Sequence, residues 1–285
     1  MGFSFNGNTP NEITFNGNDV LVLKWNGTTV WEKSASHDYS EDYLTFVAKT
    51  SGTFVFSGTS TSNTISYSTD NGNTWSTSSQ GGTINVNAND IVLWKGNLRI
   101  SGNSGVCRFS GGTASFDVQG NIMSLLYGDN FVGKTSISDS YLFFALFQSA
   151  KIVNAENLIL PATTLYYGCY NSMFSGCTSL ITAPQLPATT LAQYCYQSMF
   201  QGCTSLTTAP DLLAPTLANR CYYYMFYGCT KLNYIKMLAT DVSATNPFYY
   251  WVRNVASSGT FVKYSSTSIN RGNNGIPNGW TIVNI

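Results

Sequence analysis

Apolar and polar residues alternate in short runs through the first 121 positions, and the alternation stops after them. Period-two runs occur at 43–47, 53–56, 64–68, 83–86, 90–94, 98–100 and 114–118, separated by Gly, Asn and Ser. Such alternation sends one face of each strand into a core, so residues 43–121 are expected to form an antiparallel β-sandwich-like domain, with a small barrel as the other closure. Upstream, 12–15 and 20–25 alternate as well, and Asn26-Gly27 turns the second run back toward 29–31. Asn and Gly accept the positive φ of tight turns, so residues 1–34 read as a β hairpin module and 35–42 as a linker. Residues 122–158 are apolar without strict alternation and read as a capping segment plus a degenerate first repeat.

From 159 onward the pattern is internal repetition. The run from Cys169 to Leu180 returns as Cys195 to Leu206 and again as Cys221 to Leu232, 26 residues apart each time. A period of 20–29 with recurring Leu falls in the range of leucine-rich repeats. Within one unit, Leu191, Cys195 and Met199 lie four apart, the spacing of one helix face. Thr190 stands as N-cap and Gly202 as stop, and Leu206 enters a short strand ended by Pro210. The expected fold is thus mixed α/β and multidomain: a hairpin module, a β-sandwich-like domain, a short leucine-rich-repeat solenoid over 159–242 and a C-terminal cap over 243–285.

Comparison of columns between copies separates scaffold from free positions. Cys169, Cys195, Cys221 and Cys177, Cys203, Cys229 recur, as do Met173, Met199, Met225 and Phe174, Phe200, Phe226; these form the expected structural ladder. The columns Asn171/Gln197/Tyr223 and Ser175/Gln201/Tyr227 vary and are expected to face solvent. The aromatic residues Tyr222, Tyr223, Tyr224 and Tyr227, with Tyr249, Tyr250 and Trp251 downstream, are the candidate binding residues, suited to stacking on sugar rings or anchoring a protein partner. The alternative is that they pack beneath the cap.

Composition narrows the chemistry. Fourteen basic residues balance fourteen acidic ones, so no global field favours a nucleic acid or an anionic membrane. The first ten residues carry neither a basic cluster nor an apolar run, so no secretory signal is expected, and no stretch reaches the roughly 18 apolar residues of a membrane span. Six of the seven cysteines follow the repeat rather than a metal-ligand spacing. Buried thiols are the favoured reading, disulfides between rungs the second, and a metal the third. Cys107 stands alone. His37, the single histidine, lies in the linker with no partner for a catalytic triad, and no catalytic residue, metal or cofactor is expected. Asn- and Asp-rich turns such as 16–19 and 87–90 fit ordinary turn chemistry better than a calcium loop.

Ser68-Thr69-Asp70-Asn71-Gly72-Asn73-Thr74-Trp75 resembles the Asp-box hairpin of sialidases and other propellers, where the motif is structural; a single copy among few strands implies no such activity here. The units Phe174-Ser175-Gly176-Cys177, Phe200-Gln201-Gly202-Cys203 and Phe226-Tyr227-Gly228-Cys229, each followed by Thr-x-Leu, resemble BspA-like leucine-rich repeats of gut Bacteroidales proteins and of phages that infect them. The opening segment, with Phe15-Asn16-Gly17 and Trp25-Asn26-Gly27, resembles short N-terminal modules of phage tail and baseplate-associated proteins. The resemblance implies recognition without catalysis. The expected role is a virion component, homo-oligomeric, held to other virion proteins by the N-terminal module and presenting its repeats to a host glycan or envelope protein. A bacterial surface adhesin is the alternative, and a carbohydrate-active enzyme comes third.

Overall fold

The computed structural model describes residues 12–16, 19–25, 28–32, 37–58, 64–78, 81–98 and 107–285. The chain divides into two compact units, 1–38 and 39–285. In the first, β1 (Glu12–Asn16), β2 (Asp19–Trp25) and β3 (Thr28–Glu32) form an antiparallel sheet with β2 central. Trp25 pairs with Thr28 across the second turn, whose Asn26-Gly27 dipeptide lies outside the described residues, as does Gly17 of the first.

The second unit begins with two sheets. Strands β4 (Leu44–Ala48), β6 (Ile65–Ser68), β7 (Ser76–Ser78), β9 (Ile91–Gly96), β11 (Phe116–Asn121) and β12 (Ile152–Asn154) lie in the order β12-β11-β4-β9-β6-β7, and β13 (Leu158–Ile159) also pairs with β11. A smaller sheet has the order β10-β5-β8, from β5 (Gly52–Gly58), β8 (Gly82–Val86) and β10 (Cys107–Arg108). Alternation explains the packing: Phe46 on β4 meets Phe54 on β5 at 5.4 Å and Trp94 on β9 at 5.2 Å, and Phe109 closes on Trp94 at 4.7 Å. The polar strand β7 carries no apolar alternation, and sequence patterning did not find it. The expected strand at 98–100 falls mostly outside the described residues.

The repeats attach directly to the larger sheet. β12 and β13 add to β11 in parallel, Phe109 approaches Phe147 of the first rung at 5.9 Å, and Asn154 bridges to Thr182 of the next copy. From there five runs of turns succeed one another at 141–149, 168–176, 194–202, 220–228 and 246–254, with left-handed residues recurring at every fourth position in the last four. Within 194–202 these residues are Tyr194, Ser198 and Gly202. In this run odd-numbered amides close local turns, as in Cys195 N–H to Ala192 and Met199 N–H to Tyr196, while even-numbered ones cross to the next copy, as in Tyr196 to Cys221, Ser198 to Tyr223 and Phe200 to Met225. Buried identical side chains stack in register: Phe174–Phe200 at 5.5 Å and Phe200–Phe226 at 5.8 Å, Tyr170–Tyr196 at 6.0 Å and Tyr196–Tyr222 at 6.2 Å. At the far end β14 (Tyr234–Lys236), β15 (Thr260–Lys263) and β16 (Thr281–Asn284) form a parallel sheet.

The expected mixed α/β architecture with a leucine-rich-repeat solenoid is therefore corrected. The chain is mostly β-sheet, its sheets are open, and the only α-helix among the described residues is α1 (Ser124–Tyr127). No helix spans Leu191, Cys195 and Met199, because a left-handed residue every fourth position breaks the i to i−4 ladder and turns alternate amides toward the neighbouring copy. Nor does a regular strand follow Leu206. Pro184, Pro187, Pro210 and Pro215 remove donors, and single parallel bridges remain, such as Thr164–Thr190 and Thr190–Thr216.

Candidate functional site

The four-residue turn period divides each rung into an inward and an outward pair of columns. In the third copy Cys195, Tyr196, Met199, Phe200 and Cys203 are buried, whereas Gln193, Tyr194, Gln197 and Gln201 reach the surface. Met173, Met199, Met225, Phe174, Phe200 and Phe226 are all fully inside. Asn171 is buried, while Gln197, Tyr223, Ser175, Gln201 and Tyr227 are partly exposed.

Among the aromatic candidates, the structure splits the set. Tyr222 is buried in the tyrosine column, and Trp251 is buried with its indole N–H donated to the Gly275 carbonyl at 2.7 Å. Tyr223, Tyr224, Tyr227, Tyr249 and Tyr250 come together on the outward face of the last two rungs. Tyr223 stacks on Tyr249 at 4.8 Å and meets Tyr224 edge-on at 4.7 Å; Tyr224 contacts Tyr227 at 5.3 Å and Tyr250 at 5.9 Å, and Tyr249 meets Tyr250 at 4.4 Å. The Arg253 guanidinium lies 5.0 Å from the Tyr250 ring and 5.9 Å from that of Tyr227. Partial burial, followed by the neighbouring phenols, raises the Tyr224 and Tyr249 hydroxyls above their ordinary value, so both are neutral at physiological pH. The result is an uncharged platform of half-exposed rings with one cation at its edge.

Arg253 was not singled out from sequence, although a signal existed. It stands 26 residues after Tyr227, and Tyr249 and Tyr250 likewise follow Tyr223 and Tyr224. The register continues past 242 with Trp251 in the Met column and Val252 in the Phe column, substitutions that hid this rung.

The cysteine ladder is chemically quiet. All seven cysteines are buried, and the six of the ladder are free thiols. Burial pushes the thiols of Cys169, Cys177, Cys221 and Cys229 up to about 12, and those of Cys195 and Cys203 well above the ordinary value. Cys177, Cys203 and Cys229 donate to the carbonyls of Phe147, Phe174 and Phe200, each one rung earlier, at 3.0, 3.2 and 3.0 Å. Among the described residues no group of three or more His, Cys, Asp or Glu could hold a metal ion.

Asp70 does the work of the Asp-box turn. It accepts from the Ser68 hydroxyl at 2.7 Å, the Thr74 amide at 2.9 Å and the Thr74 hydroxyl at 2.6 Å, while the Trp75 indole donates to the Gly72 carbonyl at 3.1 Å. The hydrogen bonds from Thr74 hold its carboxyl down at about 2. Beside it, Lys95 lies 4.0 Å from the Trp75 ring and bonds Asp129 at 2.6 Å, where the Tyr43 hydroxyl also donates. His37 is exposed. Among the described residues, a depression of about 300 Å³ lies beside Tyr127, Ser136 and Asp139 and a shallow one of about 500 Å³ along Leu213, Leu238 and Tyr264.

Comparison of the chain with protein-family models, with curated proteins and with solved structures finds no match in any of the three.

Proposed function

We propose that the chain is a non-enzymatic recognition component that binds a cell-surface glycan through the tyrosine platform of its last two rungs. The observation that carries this reading is the convergence of Tyr223, Tyr224, Tyr227, Tyr249 and Tyr250 around Arg253. Each ring offers an apolar face for the C–H side of a pyranose and a hydroxyl for its polar rim. The rings are held by one another and by rung-to-rung hydrogen bonds, so little side-chain freedom is lost on binding. The sequence resemblance to phage tail and baseplate modules favours a place on a phage particle, with the strands of 1–38 as the attachment module and a bacterial surface adhesin as the other setting.

A glycan array tests the binding. The double variant Tyr223→Ala with Tyr227→Ala is expected to lose roughly tenfold or more in affinity, since two stacking rings contribute about 1–3 kcal/mol together. Its melting temperature should stay near that of the parent. Unchanged glycan binding in a folded double variant removes the platform from the reading. Mass spectrometry of purified particles separates the two settings, because an adhesin appears in host envelope fractions instead.

A further inference from the structure

The outward face carries a second aromatic group that the platform does not use. Tyr141, Tyr167 and Tyr194 stand on successive rungs, with ring separations of 5.3 Å for Tyr141–Tyr167 and 5.3 Å for Tyr167–Tyr194. Arg220, on the fourth rung, ends the row: its guanidinium lies 5.5 Å from the Tyr194 ring and donates to the Tyr194 hydroxyl. Tyr141 owes its position to Gly168, where a Cβ would come within 2.8 Å of the Tyr141 ring. Tyr167 is 36% exposed, so the row is open to a ligand.

This row repeats the plan of the platform. Arg220 reaches back over a tyrosine of the preceding rung as Arg253 reaches back over Tyr227. Lys49, Lys95 and Lys236 are each paired with a carboxylate. Among the described residues neither Arg220 nor Arg253 has such a partner. An arginine backed by a tyrosine and free of acid keeps donors for an incoming carboxylate. Between the two groups the outward columns hold Gln197, Ser175 and Gln201, whose amides and hydroxyl suit sugar hydroxyls.

We infer that Tyr141, Tyr167, Tyr194 and Arg220 form a second subsite for the same ligand, and that the ligand is an acidic polysaccharide whose chain runs across the rungs and places sugar carboxylates at Arg220 and Arg253. The inference rests on the glycan-binding reading and adds to it a charge class and a length requirement. Two weak subsites joined by one polymer give an affinity well above that of either alone, whereas a short oligosaccharide fills only one.

The experiment titrates the full chain with a polyuronate, with its trisaccharide, with a neutral glucan of matched length and with polyglutamate. The parent should bind the polyuronate at least about tenfold more tightly than the trisaccharide, and the neutral glucan more weakly than the polyuronate. Tyr167→Ala with Tyr194→Ala, and separately the milder Arg220→Gln, should bring polyuronate binding down toward the trisaccharide level and leave trisaccharide binding on the platform unchanged. Polyuronate binding that neither variant alters overturns the second subsite while leaving the platform intact. Equal binding of the neutral glucan, or of polyglutamate, overturns the acidic-polysaccharide assignment. Failure of every glycan to bind the parent overturns the underlying reading itself.

Discussion

At the residue scale the cysteines and Asp70 are informative because their protonation is coupled to the fold. The thiols of Cys169, Cys177, Cys221 and Cys229 are raised to about 12 by burial. A raised folded pKa means that the unfolded chain gives up its protons first. The stability these thiols confer is complete below about pH 9 and drains away as pH climbs toward 12, at up to about 1.4 kcal/mol per pH unit for each thiol. Denaturant titrations at pH 7.5, 9.5 and 10.5 should therefore show a steep alkaline loss, and a flat profile would refute it. In the same folded protein at pH 8 the ladder thiols should resist alkylation and all react once denatured. Asp70 has the opposite sign. Its carboxyl is held down at about 2, so its contribution is present above the ordinary carboxylate range and lost as pH falls toward 2. Asp70→Ala should lower the melting temperature at pH 7 and leave glycan binding untouched; the Asp-box motif was legible from sequence because every group that Asp70 accepts from lies within four residues of it.

At the element scale the sequence revealed the period but not the conformation. An inward residue at every fourth position, as in the partly buried Leu191 and the buried Cys195 and Met199, marks one face of a helix. A chain of turns with a left-handed residue every fourth position returns to the same side just as often. The residue types did not separate the two, since Ser172, Ser198 and Tyr224 adopt positive φ although their side chains disfavour it. The recurring Gly176, Gly202 and Gly228, with Gly168 in one copy, announced the conformation, and a recurring glycine also suits a helix stop. The glycine column provides a graded test. Gly202→Ala has room for its Cβ, the nearest atom being 3.8 Å away, so it should cost only the left-handed strain of about 1–2 kcal/mol. Gly176→Ala meets Ser149 Oγ at 2.9 Å as well and should cost more. Equal or negligible losses in denaturant titrations of the two would mean that the turns are not held in this conformation.

At the scale of the whole molecule, each rung touches chiefly its neighbours, so stability is expected to build as a sum of rung-to-rung interfaces. The last rung carries the strongest consequence of this arrangement. Trp251 takes the Met column, is fully buried, contacts Tyr222, Phe226 and Phe261 at 6.0, 6.0 and 6.1 Å, and donates to Gly275. It thereby ties the turn rungs to the parallel sheet of β14, β15 and β16. Trp251→Ala should cost about 3–5 kcal/mol, the range for removing a large buried aromatic. The more specific expectation concerns where the loss appears. With nearest-neighbour coupling, amide exchange should accelerate first in rung 246–254 and the C-terminal sheet, then in 220–228, while the sheets containing β4 and β5 keep their protection. That order also predicts a functional effect, because Tyr249, Tyr250 and Arg253 belong to the loosened rung whereas Tyr141, Tyr167 and Tyr194 do not. Uniform acceleration of exchange across 39–285 would show instead that the rungs and the sheets unfold as one cooperative body, and glycan binding would then fall at both subsites together.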